Sequence, residues 1–339
     1  MIAPNFHQNR DRRHKPRFRF LRFLFLPSLT ASVLLLTGAL GQQAPPSAQP
    51  PSPASSALKP DPAALHLLNQ ALEQLDPEKL GWLQTRLRQQ VYAQGLRFEA
   101  DGRYLAGPDH RLHLELAVHL GGTDAALRVI SDGSTVWDEV RIGKGDPSIS
   151  KWDLKKVQEA LHNPGTLPQT SSLFYRSQSF AGVVPLLQNI RDQMTIIKQE
   201  EAAWQNHPVL KLTAVWSANV SKTLVGQNNA WPPLVPRVCS LYLGKANPHW
   251  PYCVQWRGPT SPRAEDSLLM QMEFLDPQFL PAKEKPSADL SRQFTFSPGK
   301  TQVLDRTQDV TSFIAVLVRN QTPTPANSTP APETSGIKR

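Results

Sequence analysis

The chain has 339 residues, 32 prolines and a formal net charge of +9 at pH 7. The excess positive charge lies at one end, because residues 1–22 contain seven Lys and Arg side chains and one acidic residue, Asp11. Nucleic-acid binding needs clustered Lys and Arg on a folded surface. The charge distribution therefore excludes a broad nucleic-acid-binding surface, and we expect no nucleic-acid partner.

The basic N-terminal run is followed by an uncharged, mostly apolar stretch over residues 23–40. This order is typical of a secretory signal, and the small residues Ala39 and Gly41 fit cleavage after Gly41. The alternative is an uncleaved anchor in the inner membrane, since the stretch is near the shortest length that spans a bilayer. Residues 1–41 are therefore predicted to be a signal peptide or a signal anchor that makes the membrane contact. Both alternatives export the protein to the periplasm or cell envelope.

Two segments of low complexity flank the middle of the chain. Residues 42–60 are rich in Pro, Ser and Ala, and residues 321–339 have the same character. Such segments have too little apolar surface to pack a core, so we predict a disordered linker and a disordered tail. Residues 61–320 lack an internal linker of this kind and are predicted to form one domain.

The domain is predicted to begin with two helices. Asp61-Pro62 is an N-cap followed by proline at the first helical position, and apolar residues then recur at helical spacing. Asp76-Pro77 repeats the signal, and Leu83 and Leu87 continue an apolar stripe toward Gly95. The second helix is therefore predicted to extend to Gly95.

Strands follow. Over Arg111–Leu120 every even position is apolar, which is typical of a strand with one face exposed to water. Strands are also predicted at Leu96–Leu105, 127–130 and Thr135–Ile142. Four short consecutive strands of this kind predict an antiparallel meander.

The second half repeats this order. Helices are predicted at Leu154–His162, capped by Asp153, and at Val183–Gln199; Thr311–Arg319 fits either a helix or a strand. The predicted strands are Val209–Ser217, 237–243, 250–256, 268–275 and 294–296. Strands clustered between pairs of helices favour an α+β fold with an antiparallel sheet.

The two cysteines lie on one predicted hairpin. If the turn is centred on Ala246, Cys239 and Cys253 stand opposite each other, close enough for a disulfide in an oxidising compartment. A register shift of one residue would send them to opposite faces. The open alternative is two small buried side chains.

No catalytic motif is found. The closest approach to a metal-ligand pair, His110 and His113, is three residues apart in a predicted strand, so the side chains point to opposite faces. We therefore expect no enzyme activity, no metal site and no cofactor.

The predicted hairpin and the strand after it are apolar on both faces. A sheet of this kind is either covered on both sides or lines a cavity. The candidate groove for an apolar ligand consists of Tyr242, Trp250, Tyr252, Trp256, Met270 and Met272. The alternative is that these aromatic and Met side chains are ordinary core.

Several segments together resemble one family. They are Trp82–Val91, Phe98–Tyr104, Leu112–Leu116, Val129–Trp137 and Leu241–Pro251. The pattern is similar to the LolA-type superfamily of periplasmic lipoprotein carriers, and closer to planctomycete-like members than to the dedicated carriers. The resemblance covers most of 61–310 and implies a curved antiparallel sheet, an incomplete β-barrel, with helices over its concave face.

Two functions follow from these observations. The first is an exported, non-catalytic binding protein, a carrier or envelope sensor, with an apolar groove for a lipid or lipoprotein acyl chain. The second is an envelope scaffold or interaction domain with a filled core and no small ligand.

Overall fold

The computed structural model describes residues 59–93, 96–120, 122–161, 182–225, 231–261, 264–281 and 287–321. The predicted signal or anchor, nearly all of the predicted linker and all but the first residue of the predicted tail lie outside these residues. The same holds for Gly95 and His162, where two predicted helices were expected to end.

Twelve strands of the described chain form one sheet. They are β1 Trp82–Ala93, β2 Leu96–Gly107, β3 Arg111–Leu120, β4 Thr123–Asp132, β5 Thr135–Ile142, β6 Ser148–Asp153, β7 Met194–Trp204, β8 His207–Trp216, β9 Val238–Gly244, β10 Pro251–Pro259, β11 Asp266–Leu280 and β12 Val303–Asp305. Their order in space is β12-β6-β5-β4-β3-β2-β1-β11-β10-β9-β8-β7. All neighbours are antiparallel except β12 and β6. Because β7 and β12 are not paired with each other in the described residues, the sheet is open, which confirms the α+β class and the incomplete barrel.

Seven helices are described. They are α1 Pro62–Gln74, α2 Pro77–Leu80, α3 Leu154–Leu161, α4 Val183–Gln193, α5 Ala218–Val225, α6 Ala288–Arg292 and α7 Thr307–Gln321. The Asp61 carboxylate caps α1 by accepting from the backbone amides of Ala63 and Ala64, as the Asp-Pro pair predicted. The C-terminal segment, which fitted either state, is helical in α7.

One face of the sheet, here called the inner face, carries the main core. It includes Leu87 on β1, Leu114 on β3, Leu241 on β9 and Phe274 on β11, each 3% exposed or less. Helices α1 and α4 pack against each other and contact β7. They add a row of buried apolar side chains to the same cluster, so both helices cover the inner face.

The opposite, outer face is partly covered by residues 287–296. Phe294 is buried against Trp82, with 5.4 Å between ring centroids, and against Leu105. The carbonyl of Gln293 lies 2.6 Å from Nδ1 of His113, which is buried on the outer face of β3. The strand predicted at 294–296 is therefore wrong: Phe294 packs onto the sheet from outside and does not join it.

Two predicted helices are wrong over part of their length. The second helix ends at Leu80, where Gly81 has a φ of 95°, and the chain continues as β1. Leu83, Leu87 and Val91 misled the prediction because residues four apart share a face in both a helix and a strand. The helix that begins at Val183 likewise ends at Gln193, and its last predicted turns belong to β7.

The hairpin of β9 and β10 has a different register from the predicted one. The amide of Gly244 donates to the carbonyl of Trp250, so the turn is centred on Asn247. A bulge at Tyr252 shifts the pairing once more, and Cys253 stands opposite Tyr242. Cys239 pairs with Trp256 on the inner face, while Cys253 lies on the outer face. The predicted pairing of Cys239 with Cys253 is therefore wrong, and both are free thiols.

Candidate functional site

A cavity of about 410 Å³ lies between the inner face of β1–β6, the helices α2 and α4, the start of α3 and the residue that follows α1, Leu75. Most of its wall is apolar. The apolar lining residues are Leu75, Pro77, Leu80, Leu83, Ala106, Leu112, Val129, Val136, Trp152, Leu154, Val183, Val184 and Pro185. The polar lining residues are Asp76, Glu78, Tyr104, His110, Arg111, Ser131, Asp138 and Gln188. Its volume falls within the range of about 300–1,000 Å³ that is usual for small-molecule sites.

Gly107 allows one corner of the cavity to form. A Cβ atom at this position would lie 2.3 Å from the ring of Trp82, which is closer than any real contact. The absence of a side chain lets Trp82 cross β2 on the outer face. The segment from α2 to β1 is thereby held against β2 at the wall of the cavity.

The turn between β2 and β3 stands at the edge of the cavity. Asp109 and His110 both have a positive φ, 58° and 59°, and the amide of Arg111 donates to the carbonyl of Pro108. Two consecutive residues of this conformation form the hairpin turn that suits strand twist, although non-glycine residues rarely adopt it.

Contacts on two sides hold this turn in place. The amide of Asp109 donates to Oε1 of Glu78 at 2.9 Å. On the other side, a Cβ atom on Gly133 would lie 2.5 Å from the carbonyl oxygen of Asp109. The turn is thus fixed between α2 and the β4–β5 turn, and it places His110 and Arg111 at the cavity.

Helix α4 is fixed to the sheet by a buried tyrosine. The hydroxyl of Tyr104 on β2 accepts from the amide of Val183 at 3.3 Å. Gly182 precedes it with a φ of 120°, and a Cβ atom there would lie 2.5 Å from the same hydroxyl. Burial raises the pKa of Tyr104 far above its ordinary value, so the hydroxyl stays neutral and α4 closes that side of the cavity.

The six residues predicted to form a groove lie elsewhere. Four of them are buried in the core cluster at 2–5% exposure: Trp250, Trp256, Met270 and Met272. Tyr242 is on the outer face beside Trp204, and Tyr252 stacks on His207 with 4.2 Å between centroids. The structure brings these residues to one half of the sheet but not around the cavity of β1–β6. That they contact a ligand stays a prediction.

Sequence reasoning missed most of the cavity wall. Asp76, Pro77 and the turn at 107–110 were recognised, but as a helix start and a turn. The missing information was tertiary, because the wall combines β1, β3, β6 and α4, which are far apart in the chain.

The two histidines considered as metal ligands are separated, with His110 at the cavity and His113 on the outer face. Among the described residues, no group of three or more His, Cys, Asp or Glu side chains is arranged to hold a metal ion. Within the same residues, none of the helices has both the length and the apolar character needed to cross a membrane.

No protein-family model and no curated protein matches the chain. Similar solved structures include the MucA/MucB complex of Pseudomonas aeruginosa, with 12% identity and a TM-score of 0.32 over 68% of this chain. This chain spans 60% of that one. LprF from Mycobacterium bovis has 12% identity and a TM-score of 0.31, over 63% of this chain and 92% of that one.

A further similar structure is a domain from Vibrio parahaemolyticus named as an outer membrane lipoprotein-sorting protein. It has 10% identity and a TM-score of 0.23, over 67% of this chain and 95% of that one. At these identities and TM-scores the neighbours assign no function, so the function must be inferred from the cavity.

Proposed function

We propose that the protein is an exported, non-catalytic binding protein that holds one acyl chain of a lipid or lipoprotein in the cavity of β1–β6. The observation that carries this proposal is a preformed cavity of about 410 Å³ with a largely apolar wall. Each methylene group moved from water into such a wall contributes about 0.8 kcal/mol. A chain of ordinary length therefore gains enough to bind without any covalent step.

The predicted export signal and linker support the same proposal. A domain on a flexible linker in the periplasm or cell envelope can reach lipids or lipoproteins near the inner membrane. The resemblance to LolA-type carriers fits this role as a carrier or sensor. A protein partner is compatible with this proposal, since one of the similar structures is the MucA/MucB complex.

One observation favours the second function, an envelope scaffold with a filled core. The inner face of β9–β11 is packed, since Trp250, Trp256 and Met272 are each 5% exposed or less. If the rest of the molecule closes over the cavity in the same way, the protein has no room for a ligand.

The test uses the full chain produced with export. Native mass spectrometry followed by organic extraction should detect a co-purifying acyl species, and the stripped protein should take up a fluorescent fatty acid. The variant Val184→Phe places a larger side chain in the wall, so we expect at least a tenfold loss of uptake. The matched control is Val220→Phe, at a half-buried position on α5 outside the cavity. An apo mass with no uptake by the unmodified protein would exclude lipid binding and favour the scaffold.

A further inference from the structure

We propose that the cavity accepts one acyl chain only, so that its ligand is an amphiphile with a single chain, either a free fatty acid or a monoacyl lipid. Lipids with two or three chains are then not carried. This proposal rests on the proposed function and narrows it, because it concerns how many chains the bound molecule has. It follows from the volume of the cavity, the anchoring of its walls and the polar character of its exposed edge.

The volume of the cavity corresponds to one chain. In the liquid a water molecule takes up about 30 Å³, and a methylene group takes up a similar space. A cavity of about 410 Å³ therefore has room for about 14 methylene groups, which is one chain of palmitoyl length. A second chain of that length would need about twice this volume.

Packed core lies beyond the cavity in the direction of β11. Leu87, Trp250 and Phe274 occupy this part of the inner face, and each is 3% exposed or less. The Trp250 indole donates to the Phe274 carbonyl at 3.1 Å, and the two rings pack edge to face. Because protein cores are close-packed, displacing these side chains would create strain elsewhere. The cavity therefore does not extend in this direction to take a second chain.

Anchored helices fix the width of the cavity. On one side, the Tyr104 hydroxyl on β2 accepts from the amide of Val183 at the start of α4. On another side, the Glu78 carboxylate of α2 accepts from the amide of Asp109 in the β2–β3 turn at 2.9 Å. Moving either helix outward would break one of these hydrogen bonds. The bond to Tyr104 is buried, where the loss of a hydrogen bond is costly, so the walls resist widening.

The exposed part of the lining is polar. Among the described residues that line the cavity, the exposed ones are Glu78, His110 and Gln188. The large apolar side chains that are exposed in the described part of the chain do not line it; they are Leu65, Phe279, Leu304 and Phe313. A second chain left outside would therefore face water and polar groups. Since each methylene group in water forfeits the gain of burial, taking a two-chain lipid out of a membrane would be unfavourable.

The first experiment offers the full-length protein both kinds of lipid at once. Vesicles of dipalmitoyl phosphatidylglycerol with a minor share of palmitoyl lysophosphatidylglycerol are incubated with the protein and then removed by centrifugation. Native mass spectrometry identifies the lipid that stays on the protein. We expect one molecule of the lysolipid and no diacyl lipid, because extracting a diacyl lipid would expose one of its chains. Diacyl lipid bound in amounts equal to or above those of the lysolipid would overturn the proposal.

A second experiment measures what a second chain contributes. Decanoyl lysophosphatidylglycerol and didecanoyl phosphatidylglycerol share one head and differ by one chain, and both are titrated below their micelle concentrations. Two decanoyl chains need about 540 Å³ by the same estimate, which exceeds the cavity. We expect the two lipids to bind within about tenfold of each other, because the second chain stays in water. Binding of the two-chain lipid that is tighter by more than this would overturn the proposal.

The variant that tests the anchoring is Tyr104→Phe, which removes the hydroxyl that holds α4. It should let the second chain enter, so that the two-chain lipid binds more than about tenfold more tightly than the decanoyl lysolipid. The matched control is Tyr92→Phe, which removes a hydroxyl that donates to Gln90 at 3.0 Å away from the cavity and should keep the original ratio. A ratio unaltered by Tyr104→Phe would overturn the assignment of the width to this anchor.

Palmitate and palmitoyl lysophosphatidylglycerol distinguish the two sources of a single chain. Tight binding of palmitate alone assigns a free fatty acid, and tight binding of the lysolipid alone assigns a monoacyl lipid. Tight binding of both shows that the chain is recognised whatever its head. Each of these three results supports a single-chain ligand.

The failure of this proposal is distinguishable from that of the proposed function. If palmitate and the lysolipids bind but the diacyl lipids bind as well, the cavity holds acyl chains and does not limit their number. If no lipid of either kind binds, the acyl-binding function itself fails, and the single-chain proposal fails with it.

Discussion

Among the buried carboxylates of the described residues, Glu273 has the raised pKa. Glu273 on the outer face of β11 is 6% exposed. Its Oε1 accepts from Gln271 at 2.9 Å, while Arg88 lies 3.7 Å from Oε2. Burial raises the pKa of Glu273 above its ordinary value, and the partial compensation by Arg88 does not reverse that direction. The native state therefore holds a proton on this group more tightly than the unfolded chain does.

This difference predicts how the stability depends on pH. Since the native pKa of Glu273 is the higher one, its contribution to the free energy of unfolding falls as pH rises through the range between the two values. At pH 7 the penalty is present, because the carboxyl of the unfolded chain is ionised there. The variant Glu273→Gln should therefore have a free energy of unfolding about 1 kcal/mol higher than that of the unmodified protein at pH 7. Arg88 also pairs with Asp101, so the lost ion pair matters little.

The measurement is urea unfolding of both proteins between about pH 3 and pH 8. The gain should vanish toward about pH 3, well below the ordinary pKa of a glutamic acid, where the carboxyl is protonated in both states. Glu265→Gln, at an exposed position, controls for the change in net charge. A gain that is the same at every pH would contradict the pKa argument.

The two thiols give a second prediction at this scale. Cys239 and Cys253 are each 0% exposed. Burial raises the pKa of both, and the neighbouring Glu273 adds to the effect on Cys253. Because the thiolate is the reactive form, the folded protein should react very slowly with a thiol reagent and release two equivalents after unfolding without reductant.

The melting temperature of the folded protein should also be the same with and without reductant. The variant Cys253→Ala should release one equivalent after unfolding, which calibrates the count. Unfolded protein that yields no thiol until it is reduced would show that the two residues form a disulfide, against the structure.

At the scale of elements, the outer cover made by residues 287–296 depends on one aromatic side chain. Phe294 is 3% exposed, contacts the ring of Trp82 and belongs to a cluster with Leu105, against which Leu280 and Leu290 pack. Phe294→Ala should lower the free energy of unfolding by about 3 kcal/mol, as is usual for a buried phenylalanine.

Limited proteolysis should then cut the chain after β11 more readily, because the segment would lose its attachment to the sheet. Phe313→Ala on α7 removes a side chain that is 38% exposed and should cost far less. If the two variants lost equal stability, Phe294 would not be the attachment point.

At the scale of the whole molecule, the sequence predicted correctly those strands whose apolar pattern fits a strand and not a helix. β3 alternates strictly, since one face meets the core and the other is half exposed, and β5 was predicted to the residue. β1 and β7 were mistaken for helix because their apolar residues also fit helical spacing. The register of β9 and β10 depended on the turn at Asn247 and the bulge at Tyr252, which composition does not specify.

The candidate site was less accessible to prediction than the fold. Apolar patterning identified core strands, but it cannot distinguish strands whose inner face is fully packed from strands whose inner face lines a cavity. The cavity arises because Tyr104 fixes α4 and Gly107 lets Trp82 pass, and both effects are tertiary. The aromatic residues of β9 and β10 were singled out from the sequence, whereas most of the residues that line the cavity were not.

In the described residues, the sheet consists of two antiparallel meanders, β1–β6 and β7–β11, which meet where β1 pairs with β11, and of β12, which pairs with β6. Within each meander, neighbouring strands are also consecutive in the chain. By contrast, Trp82 of β1 pairs with Leu280 of β11, a contact of high sequence separation that slows folding. During synthesis, the first meander is complete before β11 is made, so one edge of β1 is unpaired, and such an edge can pair with another chain. The middle of the finished sheet is thus the place where an incomplete chain is most exposed to aggregation. Pairing of β1 with β11 removes that hazard.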